Sequence, residues 1–74
     1  KYKYTLAIDG MMCGACEAHV NDFIRRNFEI KKVKSSSRKN QTIIISLKEL
    51  NEEELRSKIN STGYLLSTIK KEEL

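Results

Sequence analysis

The sequence predicts an α+β fold, a ferredoxin-like βαββαβ sandwich with two helices on one face of a four-stranded antiparallel sheet. Three observations carry that expectation. Apolar and polar residues alternate from Tyr2 to Asp9, helical spacing takes over after Cys16, and a capped helical stretch ending at Gly63 separates the last of three further extended runs from the other two. At 74 residues the chain reads as a single domain, residues 1–74, with a core near the lower bound for folding alone.

In strand one, Tyr2, Tyr4, Leu6 and Ile8 alternate with Lys3, Thr5, Ala7 and Asp9, the period-two pattern of a half-buried strand. It delivers the chain to Gly10. Cys16, Val20, Phe23, Ile24 and Phe28 then recur at helical spacing, predicting a helix over about Ala15–Asn27 whose apolar stripe covers the sheet. Ile30 to Ser35 is a second, weaker strand, and Ser36-Ser37-Arg38-Lys39-Asn40 is a polar turn of hairpin length. Strand three runs from Thr42 to Leu47. Its Ile43-Ile44-Ile45 run puts apolar groups on both faces, so one isoleucine is expected to be partly exposed or covered by an edge.

Helix two carries the strongest local signals. Asn51 is a good N-cap, Glu54 completes a capping-box-like N-x-x-E, and Glu52 and Glu53 suit the positive end of the helix dipole. Leu55 and Ile59 mark its buried stripe, with Thr62 on the same side, and Gly63 is a natural left-handed stop. Tyr64, Leu66 and Thr68 alternate with Leu65, Ser67 and Ile69 as a final short strand, while Lys70 to Leu74 carries no signal and is expected to fray. The crossovers are expected to run from strand one to three and from two to four.

Apolar residues make up 39% and charged residues 32%, which suits a two-layer domain and excludes a disordered or membrane-spanning chain. The N-terminus lacks a secretory pattern, so a cytoplasmic setting is the default expectation. The formal charge is +4, and cations are densest at Lys31, Lys32, Lys34, Arg38 and Lys39. That segment suits an acidic partner or a polyanion, or serves as a solvated basic hairpin.

The chemistry lies in Asp9-Gly10-Met11-Met12-Cys13-Gly14-Ala15-Cys16, which places the only two cysteines three positions apart where the strand gives way to the helix. So short a loop makes a poor structural disulfide, since closing it removes little chain entropy. A reactive or metal-binding pair is the better reading. Unpaired N–H groups and the positive dipole end at the helix start favour thiolate over thiol. Thiolates are soft ligands that favour Cu(I), Zn(II) and similar ions, and two can grip one ion at a separation near twice a ~2.3 Å metal–sulfur bond. Cu(I) accepts two ligands, whereas structural zinc usually takes four. His19, three residues after Cys16, lies a turn deeper into the helix and reads as a solvated residue rather than a third ligand.

These residues carry a resemblance. Gly10-Met11-x-Cys13-x-x-Cys16, then Val20, then Gly63-Tyr64 before the last strand, resemble the heavy-metal-associated domain family, which comprises small copper chaperones and the N-terminal metal-binding domains of P-type metal-transporting ATPases. The resemblance covers essentially the whole chain in element order and implies the same sandwich. It further implies that Cys13 and Cys16 hold Cu(I) in a near-linear or trigonal arrangement and pass it to a partner through a shared-thiolate intermediate. Met11 matches a core anchor beneath the loop. Tyr64 matches an aromatic beside the metal loop that shields and tunes the site. Met12 replaces the common Thr and adds a thioether there, and Asn27-Phe28-Glu29-Ile30 lacks the usual Pro-Gly or Gly turn.

The resemblance thus implies a copper chaperone and not an enzyme, or else an N-terminal ATPase domain for Cu, Zn(II), Cd(II) or Hg(II). Its implied partner is an acidic metal-binding domain of a copper-transporting P-type ATPase or another copper protein, with a monomer expected when apo and a metal-bridged dimer open to the loaded form. Two other classes fit less well. A thioredoxin-like oxidoreductase also opens a helix with C-x-x-C, but the chain contains no proline or tryptophan. An RNA-recognition module shares the element order, but Thr42 to Leu47 offers no stacking aromatic.

Overall fold

In the computed structural model, which describes residues 1–12 and 14–74, alternation and helical spacing resolve into six elements. They are β1 (Tyr2–Asp9), α1 (Gly14–Asn27), β2 (Lys32–Ser36), β3 (Gln41–Ser46), α2 (Glu52–Asn60) and β4 (Leu65–Glu73). The strands form one antiparallel sheet in the order β2-β3-β1-β4. This is the ferredoxin-like βαββαβ order. The crossovers differ from the expectation: α1 carries the chain from β1 to β2 around β3, and α2 carries it from β3 to β4 around β1. Strands one and three are direct neighbours running in opposite directions, so no crossover joins them.

Register explains the core. Val33, Ile44 and Tyr4 lie in one cross-strand row, Ser35, Thr42, Leu6 and Ile69 in the next, and Ile8 pairs with Leu66 beyond. These side chains share a face, and Tyr4, Leu6, Ile8, Val33, Ile44 and Leu66 form a single cluster with Val20 and Ile24 of α1 and Leu55 and Ile59 of α2. Both helices therefore cover that face. Each fully buried aliphatic chain contributes roughly 1.5–3 kcal/mol by leaving water, which lets so short a chain hold a defined sheet.

Buried polar groups are paired. Tyr4 is fully buried, and its Oη accepts the Leu50 N–H at 2.8 Å, anchoring the link into α2. Asn51 caps α2 by accepting the Glu54 N–H at 3.0 Å, whereas the Glu54 carboxylate pairs with Lys58 at 3.1 Å. The N-x-x-E signal thus locates the helix start through its first half alone. Gly63, with φ of 99°, reverses the chain two residues after the Ser61 C-cap. At the other helix exit, Asn27 donates from its side chain to the Phe23 carbonyl at 2.8 Å, and Phe28 and Ile30 tuck against the core. Side-chain capping and apolar anchoring there take the place of a Pro-Gly turn.

Two further expectations are corrected. Residues 70–73 do not fray: β4 continues to Glu73, pairing Lys70 with Thr5 and Glu73 with Tyr2, and the Leu74 N–H bonds the Lys1 carbonyl at 2.8 Å. Backbone pairing to β1 extends a segment whose side chains are mostly solvated. Of the three β3 isoleucines only Ile44 is buried inward, beside Thr42 and Ser46; Ile43 and Ile45 are both half-exposed on the open face, because period two places two of three consecutive residues on the same side.

Candidate metal site

The candidate site is assembled where β1 ends. Asp9 is the last strand residue, and Gly10 turns the chain with φ of 107°, a conformation an L side chain rarely adopts. The space is also restricted: a Cβ on Gly10 would lie 3.1 Å from Cδ1 of Tyr64. Glycine lets the loop pass directly beneath that ring. Met11 is 4% exposed and belongs to the core cluster, so its thioether is committed to packing. Met12 is 84% exposed and points its thioether outward beside the loop. Cys13 lies outside the described residues.

Cys16 is the third residue of α1, half-buried and packed against the core cluster. Its position in the first helical turn is where backbone N–H groups have no intrahelical acceptor. The turn that carries it is fastened from two sides. Glu17 accepts the Ser37 N–H at 2.6 Å from the β2–β3 turn, and this bond holds the Glu17 carboxyl below the ordinary value of 4.5. One helical turn on, Asn21 accepts the Ser35 hydroxyl at 2.7 Å, and Ser35 in turn lies 2.9 Å from the Thr42 hydroxyl. A polar ladder therefore stitches α1 to the hairpin beside the site.

Tyr64 follows the left-handed Gly63 and is half-buried between the loop and α1. Its hydroxyl lies 3.4 Å from Nδ1 of His19, and the two rings meet edge to face with centroids 6.0 Å apart. His19 is exposed, so sequence and structure agree that it is a solvated helix residue, but its contact with Tyr64 spans 45 positions and leaves no trace in local spacing. With Val20, Phe23, Ile59 and Thr62, the pair lines a shallow cleft between the two helices. Among the described residues, no group of three or more His, Cys, Asp and Glu side chains is placed to hold a metal ion. No helix among them is long and apolar enough to cross a membrane.

No protein-family model and no curated protein matches the chain in sequence. Solved structures do match its fold. A copper binding domain from HMA7, a P-type ATPase, superposes with a TM-score of 0.83 over 99% of this chain and 100% of its own, at 18% identity. The CopZ metallochaperone gives 0.75 over 88% and 98% at 17% identity. Oxidized MerP from Ralstonia metallidurans CH34 gives 0.74 over 90% and 96% at 23% identity. At these identities the likeness is one of architecture, over nearly the full length of each chain.

Proposed function

We propose that this chain is a soft-metal binding and transfer domain of the heavy-metal-associated type, in which the thiolates of Cys13 and Cys16 hold one Cu(I). The observation that carries the reading is the placement of Cys16. It sits in the first turn of α1, at the end of a strand, in a fold that superposes on a P-type ATPase copper binding domain and on a metallochaperone along almost their whole length. Sequence places the second sulfur three residues earlier. A two-sulfur donor set suits a soft ion that accepts low coordination.

Low coordination also explains release. A thiolate from the acceptor adds to the two-coordinate ion, and one of the two cysteines then leaves, so the metal moves by ligand exchange without change of oxidation state. Met11 fills the floor beneath the loop, Tyr64 closes one side, and Met12 faces the approaching partner. The domain is a carrier and not an enzyme, acts in the cytoplasm, and serves an acidic metal-binding domain of a copper-transporting P-type ATPase or another copper protein. It is a monomer when apo, with metal bridging as its route to a dimer. The alternative reading is the N-terminal metal-binding domain of a P-type ATPase for Cu, Zn(II), Cd(II) or Hg(II).

Selectivity is tested by anaerobic competition in which Cu(I), Zn(II), Cd(II) and Hg(II) are each offered against chromophoric chelators of known affinity, and Cu(I) is then challenged with excess Zn(II). Binding of one Cu(I) per chain, retained against a zinc excess, supports the proposal. Preference for four-coordinate ions, or more than one metal per chain at saturation, contradicts it.

A further inference from the structure

The helices leave the other face of the sheet open, and its side chains follow from the same register. One row reads Lys32, Ile45, Lys3, Glu72 across β2, β3, β1 and β4; the next reads Lys34, Ile43, Thr5, Lys70. Two half-exposed isoleucines thus lie at the centre with lysines on both sides. Around the β2 edge lies a cavity of about 420 Å³, lined by Ile43 and Ile45 from the open face, by Lys31, Lys32, Val33 and Lys34 along β2 and its approach, and by Arg25 of α1. Ion pairs among the described residues take Arg25 at 3.5 Å to Asp22, and Lys48, Lys58 and Lys71 elsewhere; none engages Lys31, Lys32, Lys34, Lys3 or Lys70. The acid in these rows, Glu72, belongs to β4, two strands away from the groove.

We propose that this groove is a docking site for an acidic segment of a partner protein that carries aliphatic side chains. The isoleucines accept aliphatic groups and the surrounding cations accept carboxylates, the mixture of apolar and charged contacts of a protein interface. β2 is an edge strand, so the groove is open along one side to an extended segment lying beside it. The chemistry disfavours the other polyanions. Unstacked bases need aromatic platforms, and these rows have none. A lipid surface rewards apolar groups that protrude, whereas Ile43 and Ile45 are half-buried and flanked by lysines with longer side chains. The choice of an acidic partner rests on the carrier reading, but the groove is separate from the metal loop. Thr5 and Lys3 stand four and six residues before Asp9, roughly 13–20 Å back along β1 at ~3.3 Å per residue. A partner seated there leaves the loop accessible.

The test is an NMR titration of the apo domain with an alternating glutamate–leucine heptapeptide, alongside a lysine–leucine heptapeptide, phosphatidylserine-containing vesicles and oligouridylate. Expected are amide shifts at Lys32, Lys34, Ile43 and Ile45 with the acidic peptide alone, weakened by salt. The exposed double charge reversal Lys32→Glu/Lys34→Glu is expected to lower affinity at least roughly tenfold, whereas Lys34→Arg retains it. Shifts confined to other residues, equal binding of the basic peptide, or binding of vesicles or RNA without the acidic peptide overturns the proposal. In Cys13→Ser/Cys16→Ser the acidic peptide is expected to bind unchanged, so failure of the groove and failure of the metal reading give different results.

Discussion

At the scale of single residues, Gly10 is the most constrained position near the site, for two independent reasons. Its φ of 107° disfavours any Cβ, and the Tyr64 ring occupies the space that a Cβ would need. Gly10→Ala is therefore expected to cost about 1–2 kcal/mol, lowering the melting temperature by roughly 5–15 °C in a domain of this size. An unchanged melting curve would show that the loop relaxes freely. The cysteine spacing and the Gly10 and Gly63 punctuation were legible in the sequence because each is a local signal. The contact of His19 with Tyr64 was not, since it depends on α1 and the start of β4 being brought together by the sheet. Met11 and Met12 are adjacent in sequence, yet one is core and the other solvent, a distinction set by the loop's path and only suggested by the family pattern.

At the scale of elements, pairing and stitching decide what propensity leaves open. Residues 70–73 look featureless because a strand edge pairs through its backbone, and charged side chains reveal little about that pairing. Deleting residues 70–74 removes the partners of Tyr2 to Thr5 and is expected to lower the melting temperature by at least ~4 °C, the shift that about 1 kcal/mol produces here; a frayed tail would give no change. The bond from Ser37 to Glu17 makes the first turn of α1 sensitive to acid. Because the Glu17 carboxyl titrates below 4.5 in the folded state, its contribution is complete above the unfolded value and is lost as pH falls through the lower folded one. Glu17→Gln is thus expected to be less stable than the parent at neutral pH, with the gap closing below about pH 4.5 in chemical denaturation series. A gap independent of pH would mean that the carboxylate charge has no part in holding the turn. The β2–β3 turn itself was legible as a polar run. Its attachment to α1 was not, because Glu17 and Ser37 are 20 positions apart.

At the scale of the whole molecule, period-two and helical spacing were enough to order the six elements, since in a two-layer sandwich each element shows its buried side as a repeat. They could not order the strands. Which strands sit side by side depends on pairing between distant segments, and the register places β3 beside β1 and leaves β2 and β4 at the edges. That arrangement joins the end of β1 to the start of α1 at one tip of the sheet and leaves the basic face on the other side of the layer from the helices.

The central claim is that two sulfurs three residues apart bind one soft ion. Anaerobic titration of the domain, Cys13→Ser, Cys16→Ser and the double variant against a chromophoric Cu(I) chelator tests it most directly. Expected are withdrawal of one equivalent of Cu(I) from the chelator by the parent, competition by each single variant weakened by more than the roughly 10–100-fold that loss of a mere outer-shell partner costs, and no competition by the double variant. A double variant that withdraws copper as effectively as the parent would contradict it.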